Sequence, residues 1–562
     1  MTDPRRFAPT SRRAFLAGTL AAASLAFLDP KALARARAEA EALPAGDLFP
    51  LGVASGDPTA TSMILWTRLL TPDPNVPLPA TDVAVDWEVA TDQAFTTVVA
   101  NGTAPAIAAL GHSVHVDVTG LSPNTTYWYR FTADTRASAV ARTKTFPDPS
   151  STPSKVTFAL ATCQNWSDGY YTAYENMAVE DLDLVVFVGD YIYENSADRQ
   201  PRPLTLPKSQ DVPTYRARYE LYKGDAHLQA AHHAFPWILT VDDHEVANDM
   251  VADFGQEGAG EGDPAAIAAF RARRADAYQV WYEHQPVRLD APTGPDFVLH
   301  RMVEHSKLLR FYVLDGRQYR SHYPNKKGLG TDKDAPERFA ETQTMLGKDQ
   351  EAWLDDRLAE TEAQWNVIAQ QTVMTAMPVP AGDSTFYNFD QWDGYVAARN
   401  RLLHSLVDRK VRNPMVLSGD IHLAAMAGVR VDYDDPDAPN VANEIVTTSI
   451  SSRFESNLLD LFEAGLKRAT WVRYGDGLDR GYARITVTPT EWTTDFRVVA
   501  TVTENTSTVR TDFTDVVADR DPVVLPTKPT TTTTSTVPQL QDPVVPAPGG
   551  ATPVPGSANF TG

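Results

Sequence analysis

Val186-Phe187-Val188-Gly189-Asp190-Tyr191-Ile192-Tyr193-Glu194 carries the pattern that decides the fold. A wholly apolar run, residues 184–188, ends at a glycine, and an aspartate follows at once. Apolar runs of this length without alternation read as strands buried on both faces, the kind found in α/β sheets. Glycine lets the chain turn tightly, so Asp190 projects from the end of the strand. Tyr193, three residues on, can return to the same point, and a phenolate is a hard, strongly donating oxygen that suits trivalent iron. A turn aspartate beside core tyrosines is the competing reading.

Three further stretches repeat the design. Phe158-Ala159-Leu160-Ala161-Thr162-Cys163-Gln164 brings the sole cysteine out of an apolar strand into a polar turn. A lone cysteine often serves as a small buried hydrophobe. A thiol nucleophile of the phosphatase type needs an arginine six residues later, and Gly169 stands there, so that role drops out. Leu239-Thr240-Val241-Asp242-Asp243-His244-Glu245 sets two acids and a histidine after a β-rich run, with Asn248 and Asp249 close behind. Adjacent carboxylates are costly to bury unless a cation compensates them; a solvated turn is the alternative. In Met415-Val416-Leu417-Ser418-Gly419-Asp420-Ile421-His422, Asp420 and His422 share a face if the strand continues past the glycine. In a layered α/β fold the carboxyl ends of strands converge on one crevice, so these side chains can meet across large sequence gaps.

The surrounding pattern supports that architecture. Strands are expected at 156–160, 184–188, 237–241, 308–314, 367–369 and 415–417, and helices at 265–281 and 349–358, the second after a turn at Gly347. Residues 46–147 read as all-β, with alternating runs such as Val83-Ala84-Val85-Asp86-Trp87-Glu88-Val89 between turns. The stretch from Gly120 to Phe131, with Tyr127 in it, resembles the corner of a fibronectin type III-like sandwich, where a tyrosine hydroxyl ties the corner to the main chain.

The 562 residues, 43% hydrophobic, suffice for more than one folded unit. A net charge of −22 argues against nucleic acid or an anionic membrane surface as a tightly held partner. It leaves a phosphate substrate open, because a bound metal inverts the field within one cleft. With one cysteine, no intramolecular disulfide can form. Ser11-Arg12-Arg13-Ala14-Phe15-Leu16 followed by a mild apolar run to Phe27 resembles a twin-arginine export signal, so residues 1–45 read as an address. The partner implied is the twin-arginine translocation machinery, and the destination is the cell envelope or medium. That run is too short and too mild to span a membrane, and no transmembrane segment is expected in the mature chain. An amphipathic N-terminal helix is the alternative. Residues 521–562 are rich in Pro and Thr, a composition that buries too little surface to order itself and serves as a linker or a loose tail.

Taken in order, Cys, Gly-Asp-x-x-Tyr, Asp-Asp-His-Glu and Gly-Asp-x-His resemble the PhoD-like alkaline phosphatases, of the calcineurin-like metallophosphoesterase superfamily. Leu51-Gly52-Val53-Ala54-Ser55-Gly56-Asp57-Pro58, Val313-Leu314-Asp315-Gly316-Arg317-Gln318-Tyr319-Arg320 and Asp390-Gln391-Trp392-Asp393-Gly394-Tyr395 also fit, over about residues 49–518. Gly316 departs from the family's usual threonine. The resemblance implies a four-layer αββα metallophosphoesterase core at 154–520, behind the small sandwich. It implies Fe3+ held by Cys163, Asp190, Tyr193 and His422, and Ca2+ held by Asp190, Asp243 and Asp420. A second Ca2+ falls near Asp242 and Asn248. His244 becomes the candidate for transition-state stabilisation or leaving-group protonation, and Arg317 for phosphate contact. The implied reaction is hydrolysis of a phosphate mono- or diester by metal-activated water. A phospholipase D-type phosphodiesterase acting on phospholipid or cell-wall teichoic acid is the nearer alternative. An envelope binding protein with a decayed site is the further one.

Overall fold

The computed structural model describes residues 43–525, apart from 72, 74, 196–198, 256–261, 327, 332–334, 382, 455–458, 467 and 524. The expected export signal and the Pro/Thr-rich tail lie, except for their inner ends, outside the described residues.

Two large sheets face each other. In the first, Val156–Ala161, Leu184–Phe187 and Pro236–Leu239 run parallel, registered Leu160 to Val186 and Val186 to Ile238. The antiparallel strands Arg480–Val487, Glu491–Val499 and Val509–Ala518 extend it on one side. In the second, Leu309–Val313, Trp365–Ala369, Pro414–Ser418 and Ala442–Val446 are parallel, and Arg301–Glu304 and Ala424–Val429 run antiparallel at their flanks. Each expected strand is present, shifted by a residue or two at its ends.

Side-chain alternation explains the layers. Phe158, Leu160, Val186 and Ile238 point from the first sheet onto Phe311, Val367, Leu417 and Ile445 of the second, forming the central core. Their neighbours Ala159, Val185 and Trp237 point the other way, onto helices Val212–Lys223, Ala226–Ala234 and Pro264–His284. Behind the second sheet, Tyr312, Ile368 and Val416 meet helices Lys348–Ala359 and Val396–Asp408. The order is helix, sheet, sheet, helix. Helix Pro264–His284 starts where Asp263 accepts from the Ala265 N–H at 2.9 Å with proline in the first turn, and Gly347, at φ 73°, precedes Lys348–Ala359.

The N-terminal all-β region is fused to this core. Val53–Gly56 pairs in parallel with Pro236–Leu239, Ser55 opposite Pro236, and carries Ser62–Arg68 and Ser113–Thr119 into the same sheet. Among the described residues that sheet has nine strands. A second sheet built on Val83–Ala90, Val98–Ala106 and Thr126–Ala133 covers it, with Val85, Tyr129 and Phe131 packed on Met63, Leu65 and Val116. Tyr127 does tie the corner: its hydroxyl accepts from the Ser122 N–H at 2.8 Å. Buried Asp57 pairs with Arg301 at 2.7 Å, bolting this region to the core.

Candidate metal centre

The parallel strands of both sheets deliver their carboxyl ends to one place. Cys163 follows Val156–Ala161, Asp190 follows Leu184–Phe187, and Asp242 and Asp243 follow Pro236–Leu239. Asp420 and His422 follow Pro414–Ser418. All six are buried.

Cys163, Asp190, Asp420 and His422 have φ of 55°, 59°, 66° and 59°, a left-handed conformation that costs most residues of order 1 kcal/mol or more and persists only where the surroundings impose it. This corrects one expectation. The strand carrying Asp420 and His422 ends at Ser418, so the pair is brought together by two left-handed turn residues and not by strand alternation. At Gly189, φ 114°, an added Cβ would collide with Asp242, which is why glycine precedes the aspartate. Glu245 locks the turns together: its carboxylate accepts from the main-chain N–H groups of Asp190 at 3.1 Å, Tyr191 at 2.5 Å and Asp242 at 2.7 Å.

On one side of the centre the Cys163 thiol lies 3.5 Å from Asp190 Oδ2, and the Tyr193 hydroxyl reaches the same oxygen at 2.9 Å. His422 Nε2 is 2.7 Å from that hydroxyl, while its Nδ1 sits 2.8 Å from the main-chain oxygen of Arg453. The second contact fixes the ring with Nε2 turned to the centre, as for a ligating imidazole. Ligand atoms of Cys163, Asp190 and His422 lie within 4.8 Å of one another. So do those of Asp190, Asp243 and His244, and those of Asp242, Asp243 and Asp420. Asp190 belongs to two of these groups and joins them.

The other side is acidic, with one guanidinium inside it. Arg317 donates to Asp242 through Nε, to both oxygens of Asp390 at 2.8 Å through Nη1, and to Asp420 Oδ1 at 2.8 Å through Nη2. Asp243 is 3.6 Å away. Gln391 donates to Asp420 Oδ2, and Arg320 and Tyr323 also hold Asp390. His244 Nδ1 lies 2.6 Å from Glu194, whose other oxygen accepts from the Asn248 N–H at 3.1 Å. At Gly316 the N–H donates to Gln371 Oε1 at 3.0 Å, and an added Cβ would lie 3.0 Å from the same oxygen, tight enough that the Gln371 side chain would have to give slightly.

The electrostatics follow from this crowding. Burial, then the neighbouring Asp190, drives the Cys163 thiol well above its ordinary range. Burial raises Asp190 and Asp242 in the same direction, although His244 and Arg317 pull against it, and lifts Asp420 to about 6. It holds His422 down at about 3, a neutral imidazole with a lone pair to give. For Glu194 burial is overcome by His244, and the carboxyl falls to about 2; burial likewise loses to Glu194 and Asp190 at His244, which rises. The acidic cluster is therefore short of positive charge. Asp190 Oδ1, Asp242 Oδ2 and both amide atoms of Asn248 are buried without a hydrogen-bond partner, and cations would satisfy the oxygens among them. The residues fit a thiolate–phenolate–imidazole site beside a carboxylate–amide site.

The structure brings together Cys163, Asp190, Tyr193, His422, Asp242, Asp243, Asp420, His244 and Arg317. Asn248 is adjacent, behind Glu194. Sequence reading did not assign roles to Glu194, Glu245, Asp390 or Gln391. Glu194 and Glu245 each sat inside a quoted motif, and Asp390-Gln391 opened one, so the signal available was their place within those stretches.

The chain matches the family model described as PhoD-like phosphatase over residues 158–496, and that of the PhoD-like phosphatase N-terminal domain over 34–147. It is 40% identical to alkaline phosphatase D of Bacillus subtilis (strain 168) over 479 residues, 82% of this chain and 79% of that protein. A solved structure of PhoD superposes with a TM-score of 0.77 at 38% identity, covering 86% of this chain and 94% of that one. The purple acid phosphatase PPD1 of yellow lupin, 12% identical with a TM-score of 0.50 over 83% of this chain and 73% of its own, shares the fold of the core. The chain belongs to the PhoD-like phosphatase family, hydrolases of phosphoric esters.

Proposed function

We propose that the protein is an exported phosphoesterase that hydrolyses phosphate mono- or diesters at an Fe3+–Ca2+ centre. The observation that carries this reading is the division of donors about Asp190. Cys163, Tyr193 and His422 would hold iron on one side, and Asp243 and Asp420 would hold calcium on the other, with Asp242 and Asn248 beside a second calcium. Bound cations would supply Lewis acidity toward the phosphoryl oxygens and make a water a stronger nucleophile.

The chain's own groups do the rest. Glu194 keeps His244 protonated and oriented, so its imidazolium can stabilise the departing oxygen or give it a proton. Arg317, buried and engaged with Asp242, Asp390 and Asp420, holds these carboxylates in register, and contact with a phosphate oxygen would take the place of one of those bonds. The enclosing strands keep this cluster from bulk water, which strengthens each charge interaction in it. Export would follow the twin-arginine route read from residues 11–16.

Cys163→Ser tests the assignment. A hydroxyl is a far weaker iron ligand than a thiolate, so the purified variant should lose its bound iron or the visible charge-transfer absorption. Turnover of p-nitrophenyl phosphate should fall by at least about tenfold. An iron-loaded variant with unchanged colour and turnover would overturn the ligand set.

A further inference from the structure

Beyond the strand Ala442–Val446 the chain continues as Thr447-Thr448-Ser449-Ile450-Ser451-Ser452, a hydroxyl-rich segment buried throughout. Buried hydroxyls are costly unless hydrogen-bonded, so their partners are informative. The Cys163 carbonyl accepts from the N–H of Ser451 at 3.4 Å, from the N–H of Ser452 at 3.3 Å and from the Ser452 hydroxyl at 2.9 Å. That same hydroxyl lies 2.8 Å from the phenol oxygen of Tyr193 and accepts from the Asn165 N–H at 3.0 Å. The Ser449 hydroxyl fixes the turn by donating to the Ser452 main-chain oxygen. One residue further, the main-chain oxygen of Arg453 holds His422 Nδ1. A single turn therefore touches Cys163, Tyr193 and His422, three of the four side chains assigned to iron, while supplying no ligand of its own.

A serine hydroxyl has one proton to donate, and here two acceptors stand within reach, the Cys163 carbonyl and the Tyr193 oxygen. Charge decides between them. A phenolate bound to a cation still carries negative charge on its oxygen, and a hydrogen bond to a charged acceptor is about twice as strong as one to a neutral carbonyl. The carbonyl keeps the N–H groups of Ser451 and Ser452 when the hydroxyl turns away, so no buried acceptor is orphaned. We propose that Ser452 is a positioning residue for the iron side of the centre: its hydroxyl donates to the Tyr193 phenolate oxygen and limits the electron density this ligand gives the metal. Hydrogen bonds from outside a ligand set tune the donation of the ligands and hence the reduction potential. A phenolate restrained in this way leaves the cation a stronger Lewis acid toward a phosphoryl oxygen. The inference rests on the iron reading and adds to it a residue that supplies no ligand.

Purified, iron-loaded wild type, Ser452→Ala, Ser452→Thr and Ser451→Ala are compared by visible absorption and by redox titration. Ser452→Ala should move the tyrosinate-to-iron band to longer wavelength. At one fixed applied potential its ferric-to-ferrous ratio should rise about threefold to tenfold, part of the worth of a hydrogen bond to a charged group. Ser452→Thr keeps the hydroxyl and should restore both values. Ser451→Ala removes a neighbouring hydroxyl that donates to the Asn165 carbonyl at 2.8 Å and not to Tyr193, so it should match the wild type. A turn that merely held the fold would respond to either loss alike, and equal iron content certifies that the site is assembled. The wild type alone supplies a check that no variant's folding can spoil: its tyrosinate C–O vibration, followed by resonance Raman, should shift when the protein is produced in D2O. An unmoved band and ratio in Ser452→Ala, the same shift in Ser451→Ala, or a vibration indifferent to deuterium overturns the inference. A wild type without iron or without tyrosinate absorption overturns the iron reading itself, and this inference with it.

Discussion

Glu245 and Glu444 show how single buried carboxylates hold this centre. Glu245 gathers three main-chain N–H groups from the turns that carry Asp190 and Asp242. Glu444 does the same on the second sheet, accepting from Met374 N–H at 2.7 Å, Thr375 N–H at 2.6 Å and the Ser418 hydroxyl at 2.6 Å, two residues before Asp420. Burial lifts the Glu444 carboxyl from its ordinary 4.5 to about 7 in the folded chain. The unfolded chain therefore releases this proton first, and Glu444 withdraws stability as pH rises from about 4.5 to about 7, the loss being complete above that window. Its size is about 3 kcal/mol. In Glu444→Gln that component vanishes. Urea unfolding of both proteins at several pH values should show the wild type losing about 3 kcal/mol relative to the variant between pH 4.5 and 7. Parallel curves would contradict the assignment. The residues that meet at the candidate centre were legible from sequence because they followed apolar strands. Glu194, Glu245 and Asp390 were not assigned, because their roles include partners 50, 54 and 73 residues away that no local pattern indicates.

At the scale of elements, the central strands were readable because residues such as Phe158, Val186 and Leu417 form apolar runs that no amphipathic helix would show. The division at residue 147 was drawn from the change in pattern between alternating and continuous runs. What no local pattern could reveal is that Val53–Gly56 pairs with Pro236–Leu239, since hydrogen bonding between strands 180 residues apart leaves no periodic mark. The consequence is physical: the all-β region caps an edge of the sheet that holds Asp242 and Asp243. Removing residues 1–147 would bare the edge of Pro236–Leu239 and the apolar faces beneath it, an invitation to edge-to-edge association. The truncated protein is expected to aggregate or to elute far above monomer size in size-exclusion chromatography. A soluble monomer that still binds metal would show that the two regions are independent.

Across the whole molecule, the candidate ligands span residues 163 to 422, so a centre among them would exist only once the chain has folded around it. That is the physical reason a route for folded cargo suits this protein, and Arg12 with Arg13 would be its address. Arg12→Lys with Arg13→Lys should leave folded, active enzyme inside the cell and little outside, as judged by activity in the two fractions. Undiminished export would remove the twin-arginine reading. No described helix is long and apolar enough to cross a membrane.

The account depends most on the metal that Cys163, Asp190, Tyr193 and His422 are proposed to share. Anomalous diffraction from crystals of the exported protein, recorded on both sides of the iron absorption edge, locates that element directly. The prediction is an edge-dependent peak enclosed by those four side chains, with a neighbouring peak near Asp243 and Asp420 that does not respond to the iron edge. Electron density with no ion among the four, or iron found elsewhere on the chain, would contradict it.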